Sequence, residues 1–276
     1  MVEKYSDGFN GCKIFYDFKK GEKEKPCMVF LHGWTQNHTA WKKQIKFFNK
    51  QGYSTLAIDL RGHGKSCKPK KISDLGMKRI SKDIKNILRK EKIKKYILVG
   101  HSFGGMVALE HYSLFPKDVK ALILLGTPFG NPLKSDSYLK FFSLENYAND
   151  IIRFLKGVFH KNNGYIDYSE LKPQNDISYF LKGVSSTPIN SLIGSFRGMI
   201  KFAEKNIFEQ IKSPTLIIAG EHDKRTSVKY LEDISNKIEN SVLKIIKGKN
   251  AAHDINLQRP KKVEKIILDF LKKVGL

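Results

Sequence analysis

The stretch Gly100-His101-Ser102-Phe103-Gly104-Gly105 constrains this chain more than any other. The apolar run Tyr96-Ile97-Leu98-Val99 precedes it, rich in β-branched residues and long enough for one buried strand. Met106-Val107-Ala108-Leu109 follows and reads as the start of a helix. A strand that turns through Gly-x-Ser-x-Gly directly into a helix puts the central residue in strained backbone geometry. Gly100 and Gly104 carry no side chain, so neighbouring chain can pass close by. Ser102 Oγ is then held out at the strand's C-terminal end, beside a helix N-terminus that favours developing negative charge. No Lys-Ser/Thr pair follows at phosphate-loop spacing, and Gly-x-Gly-x-x-Gly is absent.

The surrounding segments alternate between strand and helix. Residues 1–25 read as an edge hairpin, with residues 12–18 strand-like and a charged turn at 19–22. Cys27-Met28-Val29-Phe30-Leu31 is a continuous apolar run of the kind buried on both faces of a parallel sheet. A helix with Trp41, Ile45, Phe47 and Phe48 on its apolar stripe follows, and Gly52 stops it. Residues 53–58 form the next strand, and 59–66 a polar, glycine-rich loop. Residues 75–90 read as a helix with Ile80, Ile84, Ile87 and Leu88 on one face. Further strands fall at 119–125, 215–219 and 242–246, and Pro260 opens the last helix. This order predicts an α/β fold with a doubly wound, mostly parallel sheet. Residues 129–212 contain no convincing strand and are rich in aromatics, including Phe129, Tyr138, Phe141, Phe142, Phe154, Tyr179, Phe180 and Phe196. They are expected to form a helical cap inserted into a core made of 1–128 and 213–276.

A serine hydroxyl becomes a nucleophile only when a base takes its proton, and the base needs an acid to fix its tautomer. Such groups belong on loops after the C-terminal ends of strands. Two loops qualify. Gly220-Glu221-His222-Asp223 follows the strand at 215–219, and Asn250-Ala251-Ala252-His253 follows the strand at 242–246. Asp223 is the expected acid, with Glu221 its rival, and His253 the expected base, because serine, aspartate, histidine is the chain order that goes with such an elbow. Of the other histidines, His32 and His63 are expected to brace loops, His101 to point away from the serine, and His38, His111 and His160 to face solvent. Two backbone N–H groups should meet a developing oxyanion: Phe103, after the serine, and Trp34, after the strand at 27–31.

The totals limit the alternatives. A hydrophobic fraction of 41% in 276 residues is enough for one large core. The first nine residues carry Glu3, Lys4 and Asp7 and do not resemble a signal peptide. No apolar run is long enough to span a membrane. Cys12, Cys27 and Cys67 fit neither a disulfide framework nor a zinc pattern, which points to a reduced, cytoplasmic protein. The net charge of +23 comes from 43 lysines against seven arginines, spread along the chain. Nucleic-acid readers lean on the bidentate Arg fork, so no specific nucleic-acid partner is expected, only weak attraction to anionic surfaces.

With these residues in hand, the chain resembles an α/β-hydrolase-fold serine hydrolase. The matching pieces are His32-Gly33-Trp34, Asp59-Leu60-Arg61-Gly62-His63-Gly64-Lys65-Ser66, the elbow, Gly220-Glu221-His222-Asp223 and His253, in the family's order over nearly the whole chain. The resemblance implies that Ser102, Asp223 and His253 form a catalytic triad and that residues 59–66 are structural. The stretch with Trp41, Gln44, Phe47-Phe48 and Gly52-Tyr53 also resembles the esterase group that includes cofactor-free perhydrolases. A serine at the elbow argues against haloalkane dehalogenases and epoxide hydrolases, which resemble this fold but use a carboxylate nucleophile. The expected activity is cleavage of an ester or thioester of small to medium apolar character, with no cofactor or metal. A C–C bond hydrolase, monoacylglycerol lipase, thioesterase or aminopeptidase would use the same triad, and a ligand-binding protein on this scaffold is the non-enzymatic alternative.

Overall fold

The computed structural model describes residues 2–129, 164–171, 175–202 and 206–276. Eight strands among them form one sheet: β1 (Val2–Asp7), β2 (Lys13–Lys19), β3 (Cys27–Leu31), β4 (Thr55–Ile58), β5 (Tyr96–His101), β6 (Val119–Leu125), β7 (Thr215–Gly220) and β8 (Ser241–Ile246). Their spatial order is β1-β2-β4-β3-β5-β6-β7-β8. The β1/β2 and β2/β4 pairs are antiparallel, and every other pair is parallel. The doubly wound, mostly parallel sheet is therefore present.

Alternate residues of each central strand feed opposite faces, as the two-residue period of a strand demands. Val29, Leu31, Leu98, Leu122 and Ile217 join one core. Met28, Phe30, Ile97, Val99, Ile123 and Ile218 join the other. The first core is closed by α2 (Met77–Lys90), α3 (Phe103–Leu114) and α6 (Val228–Ser235). The second is closed by α1 (Lys42–Lys50) and α8 (Pro260–Lys273). Each fully buried Leu, Ile or Phe contributes about 2 kcal/mol, so the continuous apolar runs at β3, β5 and β6 anchor the sheet. Between β6 and β7 lie α4 (Asp176–Ser186) and α5 (Ile189–Phe202). Tyr138, Phe141, Phe142, Phe154 and His160, on which sequence expectations also rested, lie outside the described residues.

The structure departs from the sequence expectations at several points. The N-terminal hairpin turns at residues 8–12, because β1 lies before β2, and not at 19–22. Helix α6 was not foreseen; its eight residues are capped by Ser227, whose Oγ accepts from the Tyr230 N–H at 3.3 Å. Cys12 and Cys67 are joined by a disulfide, with Cα atoms 5.5 Å apart and a sequence separation of 55. The loop at 59–67 folds back beside β2, where the Cys67 N–H donates to the Lys13 carbonyl at 2.9 Å. That contact is non-local, so cysteine spacing alone does not show it, and the pairing removes the cysteine argument for a reducing, cytoplasmic setting. Cys27 stays free and buried. No helix among the described residues is long and apolar enough to cross a membrane.

His38 and His111 are both buried, against the expectation of solvent exposure. Every residue of α3 from Phe103 to Tyr112 is buried, so this helix has no wet face for His111 to occupy. His111 instead meets the Tyr96 hydroxyl at 2.7 Å and Ser81 Oγ at 3.0 Å. His38 pairs through Nδ1 with the buried Asp59 carboxylate at 2.7 Å. Asp59 also accepts the His38 and Lys65 N–H groups, and Arg61 of the same loop makes a buried two-pronged pair with Asp83 of α2, both contacts at 2.7 Å. The loop at 59–66 is thus held as part of the framework.

Candidate active site

Three strand ends converge on one point. The first is the turn from β5 into α3. Ser102 there has φ 50° and ψ −115°, a left-handed conformation that costs a non-glycine residue free energy and is kept by its surroundings. The tightness of the turn explains its glycines. A Cβ on Gly104 would run into the Leu31 carbonyl, and one on Gly100 would sit 2.6 Å from the Gly104 carbonyl oxygen.

The loop after β7 supplies Asp223, and the loop after β8 supplies His253. His253 Nε2 lies 2.8 Å from Ser102 Oγ, and its Nδ1 lies 2.9 Å from Asp223 Oδ2. All three side chains are buried, with Ser102 the most accessible at 8%. A carboxylate facing Nδ1 makes that nitrogen the N–H donor and leaves Nε2 free to accept from the serine. Asp223 is itself held in an Asx turn: Oδ1 accepts the Arg225 N–H at 2.8 Å and the Thr226 N–H at 3.0 Å, and Oδ2 accepts the Thr226 hydroxyl at 2.5 Å. Burial alone would raise its pKa, but the His253 charge and the hydrogen bonds from His253 and Thr226 outweigh it and hold the carboxyl below its ordinary value. Glu221 takes no part in this chain; it accepts the Gly248 N–H at an exposed position.

Of the two amides expected to face an oxyanion, that of Phe103 follows Ser102 directly, and Trp34 lines the same pocket as Ser102. Phe103 is the first residue of α3, so its N–H is one of the four that a helix leaves unpaired. Trp34 sits in the turn after β3. In that turn Gly33 donates its N–H to Gln36 Oε1 at 3.0 Å, and Gln36 donates its own to the Gly33 carbonyl at 3.1 Å. The Trp34 side chain has a separate task. Its Nε1 donates to Ser195 Oγ of α5 at 2.7 Å, and its ring packs against Phe180 and Phe196.

A small cavity of about 40 Å³, open to solvent, reaches Ser102. Trp34, Phe180, Phe196 and Met199 line it with apolar side chains, and Gln36, Arg225 and Asp254 with polar ones. Several of these residues were not singled out in the sequence. Gln36 links the turn of Trp34 to the base loop, donating through Nε2 to Asp254 Oδ1 at 2.7 Å. Burial pushes the Asp254 carboxyl up to about 6. The His101 ring lies beside His253. Its centre is 5.1 Å from that of the His253 ring, and its Nε2–H donates to the His253 carbonyl at 3.0 Å. Burial, then the neighbouring His253, push His101 down to about 3, so it acts as a neutral donor. Adjacency marks Asp254 in the sequence, and the Asp-x-x-Thr spacing marks Thr226. Gln36 has no local signal. Among the described residues no group of three or more His, Cys, Asp or Glu side chains is placed to share a metal ion.

The arrangement can deprotonate a serine, carry the proton on a fixed imidazole and offer N–H donors to a negative oxygen beside it. Comparison with known proteins agrees with this architecture. Epoxide hydrolase 3 of Xenopus tropicalis is 28% identical over 94% of this chain and 74% of its own length. An esterase from Exiguobacterium antarcticum superposes with a TM-score of 0.75 at 19% identity, covering 98% of this chain and all of its own. A bromoperoxidase from Bacillus anthracis gives 0.76 at 22% identity, covering 98% and 100%. At such identities these two structures bear on the fold alone. The family model described as alpha/beta hydrolase fold matches residues 26–260. The chain belongs to the alpha/beta hydrolase fold family.

Proposed function

We propose that this protein is a serine hydrolase that cleaves carboxylic esters or thioesters of small to medium apolar substrates through an acyl-enzyme. The observation that carries the reading is the buried chain Ser102 Oγ, His253, Asp223, joined at 2.8 and 2.9 Å. Ser102 attacks the carbonyl carbon as His253 Nε2 takes its proton. The Trp34 and Phe103 amides receive the oxyanion, and His253 then protonates the leaving group. Water, deprotonated by His253, releases the acid in the second half. Asp223 holds the ring and stabilises the imidazolium. Helices α4 and α5, between β6 and β7, serve as part of a cap, and Trp34, Phe180, Phe196 and Met199 provide the apolar seat for the acyl or alcohol portion.

Relatives that bear the name epoxide hydrolase make epoxide opening the competing reading. The serine at position 102 favours ester cleavage over it. A carboxylate that opens an epoxide forms an ester, which base-activated water can hydrolyse. A serine would form an alkyl ether, which this machinery has no means to cleave, and the enzyme would stop after one turnover. The test is a panel of p-nitrophenyl esters from acetyl to dodecanoyl beside an aryl epoxide. Turnover of esters with an optimum at short to medium chains, and no multiple turnover of the epoxide, is expected. Sustained diol formation without ester cleavage would overturn the proposal.

A further inference from the structure

We propose that Asp176, at the start of α4, is a positioning residue that holds the catalytic histidine in register with Ser102 from the helical segment between β6 and β7. The inference rests on the triad reading above. The loop that carries His253 joins β8 to the short helix α7 (Ile255–Gln258), and its amides belong to no ladder. Three successive N–H groups there need acceptors. Asp176 Oδ2 takes the His253 N–H at 3.0 Å, and Asp176 Oδ1 takes the Asp254 N–H at 3.1 Å. Gln258 Oε1 takes the Ala252 N–H at 3.1 Å, and the same amide group donates through Nε2 to Asp176 Oδ1 at 2.8 Å. On the far side, His101 Nε2 donates to the His253 carbonyl. The backbone of the base is thus gripped at its N–H by Asp176 and at its C=O by His101.

The partner is non-local: 77 residues separate Asp176 from His253. The end of α4 is itself fixed by Asn175, whose Oδ1 accepts the Ser178 N–H at 2.9 Å. Phe180 lies one turn along the same helix and lines the pocket beside Ser102. The helix that meets the substrate is therefore the helix that holds the base. Proton transfer from Ser102 needs Nε2 at hydrogen-bond distance, and a misplacement of about 1 Å can cost about 100-fold in rate.

The test uses the full chain with Asp176→Asn, which is nearly isosteric but turns one acceptor into a donor, and Asp176→Ala. Wild type and Ser102→Ala are run in the same assay. For both Asp176 variants kcat on the optimal p-nitrophenyl ester is expected to fall roughly 10- to 100-fold, with KM changed less than about threefold. The rate of Ser102 labelling by a fluorophosphonate should fall in parallel, while thermal unfolding stays within a few degrees of wild type. Unchanged kcat and labelling in Asp176→Asn would overturn the inference. So would a rise in KM alone, or a loss of activity that merely tracks a large loss of stability. If wild type neither turns over nor labels, the triad reading itself fails and the inference falls with it. An active wild type beside an inactive Ser102→Ala confines any failure to Asp176.

Discussion

Replacing Ser102 by alanine is expected to lower kcat on p-nitrophenyl esters by about 10⁴-fold or more, with KM nearly unchanged. The side chain is small, it lines a pocket, and Ala fits wherever Ser does. The loss is therefore of chemistry and not of fold. Alanine has no oxygen to attack the carbonyl, and the covalent route closes. What remains is the oxyanion donors and binding, which in triad hydrolases still give roughly 10³- to 10⁴-fold over water. A 10⁴-fold drop corresponds to about 5.5 kcal/mol of transition-state stabilisation. In the proposed mechanism Ser102 and His253, 2.8 Å apart, act as one unit. The double variant Ser102→Ala/His253→Ala should accordingly be no slower than Ser102→Ala alone, and steady-state kinetics on the three proteins checks this.

Stability is expected to collapse on mild acidification, and four buried histidines are the reason. Burial pushes His32 down to about 4, and His63, His101 and His111 down to about 3, against 6.5 for a free imidazole. Unfolding exposes them. Below pH 6.5 the unfolded chain binds protons that the folded chain refuses, so stability falls as pH falls. Each such group costs about 1.4 kcal/mol per pH unit between 6.5 and about 4. Asp254 works the other way. Its folded value of about 6 exceeds the 3.8 of a free aspartate, so its contribution is fully present below 3.8 and is lost as pH rises through about 6. The balance is about three protons taken up on unfolding, or about 4 kcal/mol per pH unit between pH 6 and 4. Domains have about 5–15 kcal/mol to lose, so at this slope the acid midpoint falls at about pH 5 or below. Asp59 and Asp223, both held below 3.8, add a further loss at lower pH, since their contribution is present only above that value. Urea unfolding at pH 7.5, 6.0 and 5.5 reads the slope. A free energy independent of pH across that range would show that these imidazoles are not neutral in the fold.

What the sequence made legible was local. The β5 strand, the elbow and α3 occupy one short stretch, and each residue choice there agrees with the others: an apolar run, glycines where the backbone is crowded, a serine at the apex. The alternation of strand and helix then placed Asp223 and His253 at strand ends, because a parallel sheet aligns its C-terminal edges. What stayed hidden were pairings between distant residues. His38 reads as a polar turn residue until Asp59, 21 residues on, is found against it. Cys12 and Cys67 become neighbours only when the loop at 59–67 returns to β2. His101 was placed by its position beside the serine, whereas its ring turns toward the base loop and donates to a carbonyl 152 residues away. Gln36 and Asp176 do their work through the same kind of long-range contact.

The most direct measurement is intact-protein mass spectrometry, with peptide mapping, after exposure to an activated p-nitrophenyl carbamate, whose carbamoyl-enzyme is slow to hydrolyse. One carbamoyl group per chain, on the peptide carrying Ser102, together with parallel loss of esterase activity, is the expected result. No adduct should form on Ser102→Ala. Ester turnover that survives while Ser102 stays unmodified, or inhibition with the label on another residue, would contradict a nucleophilic Ser102.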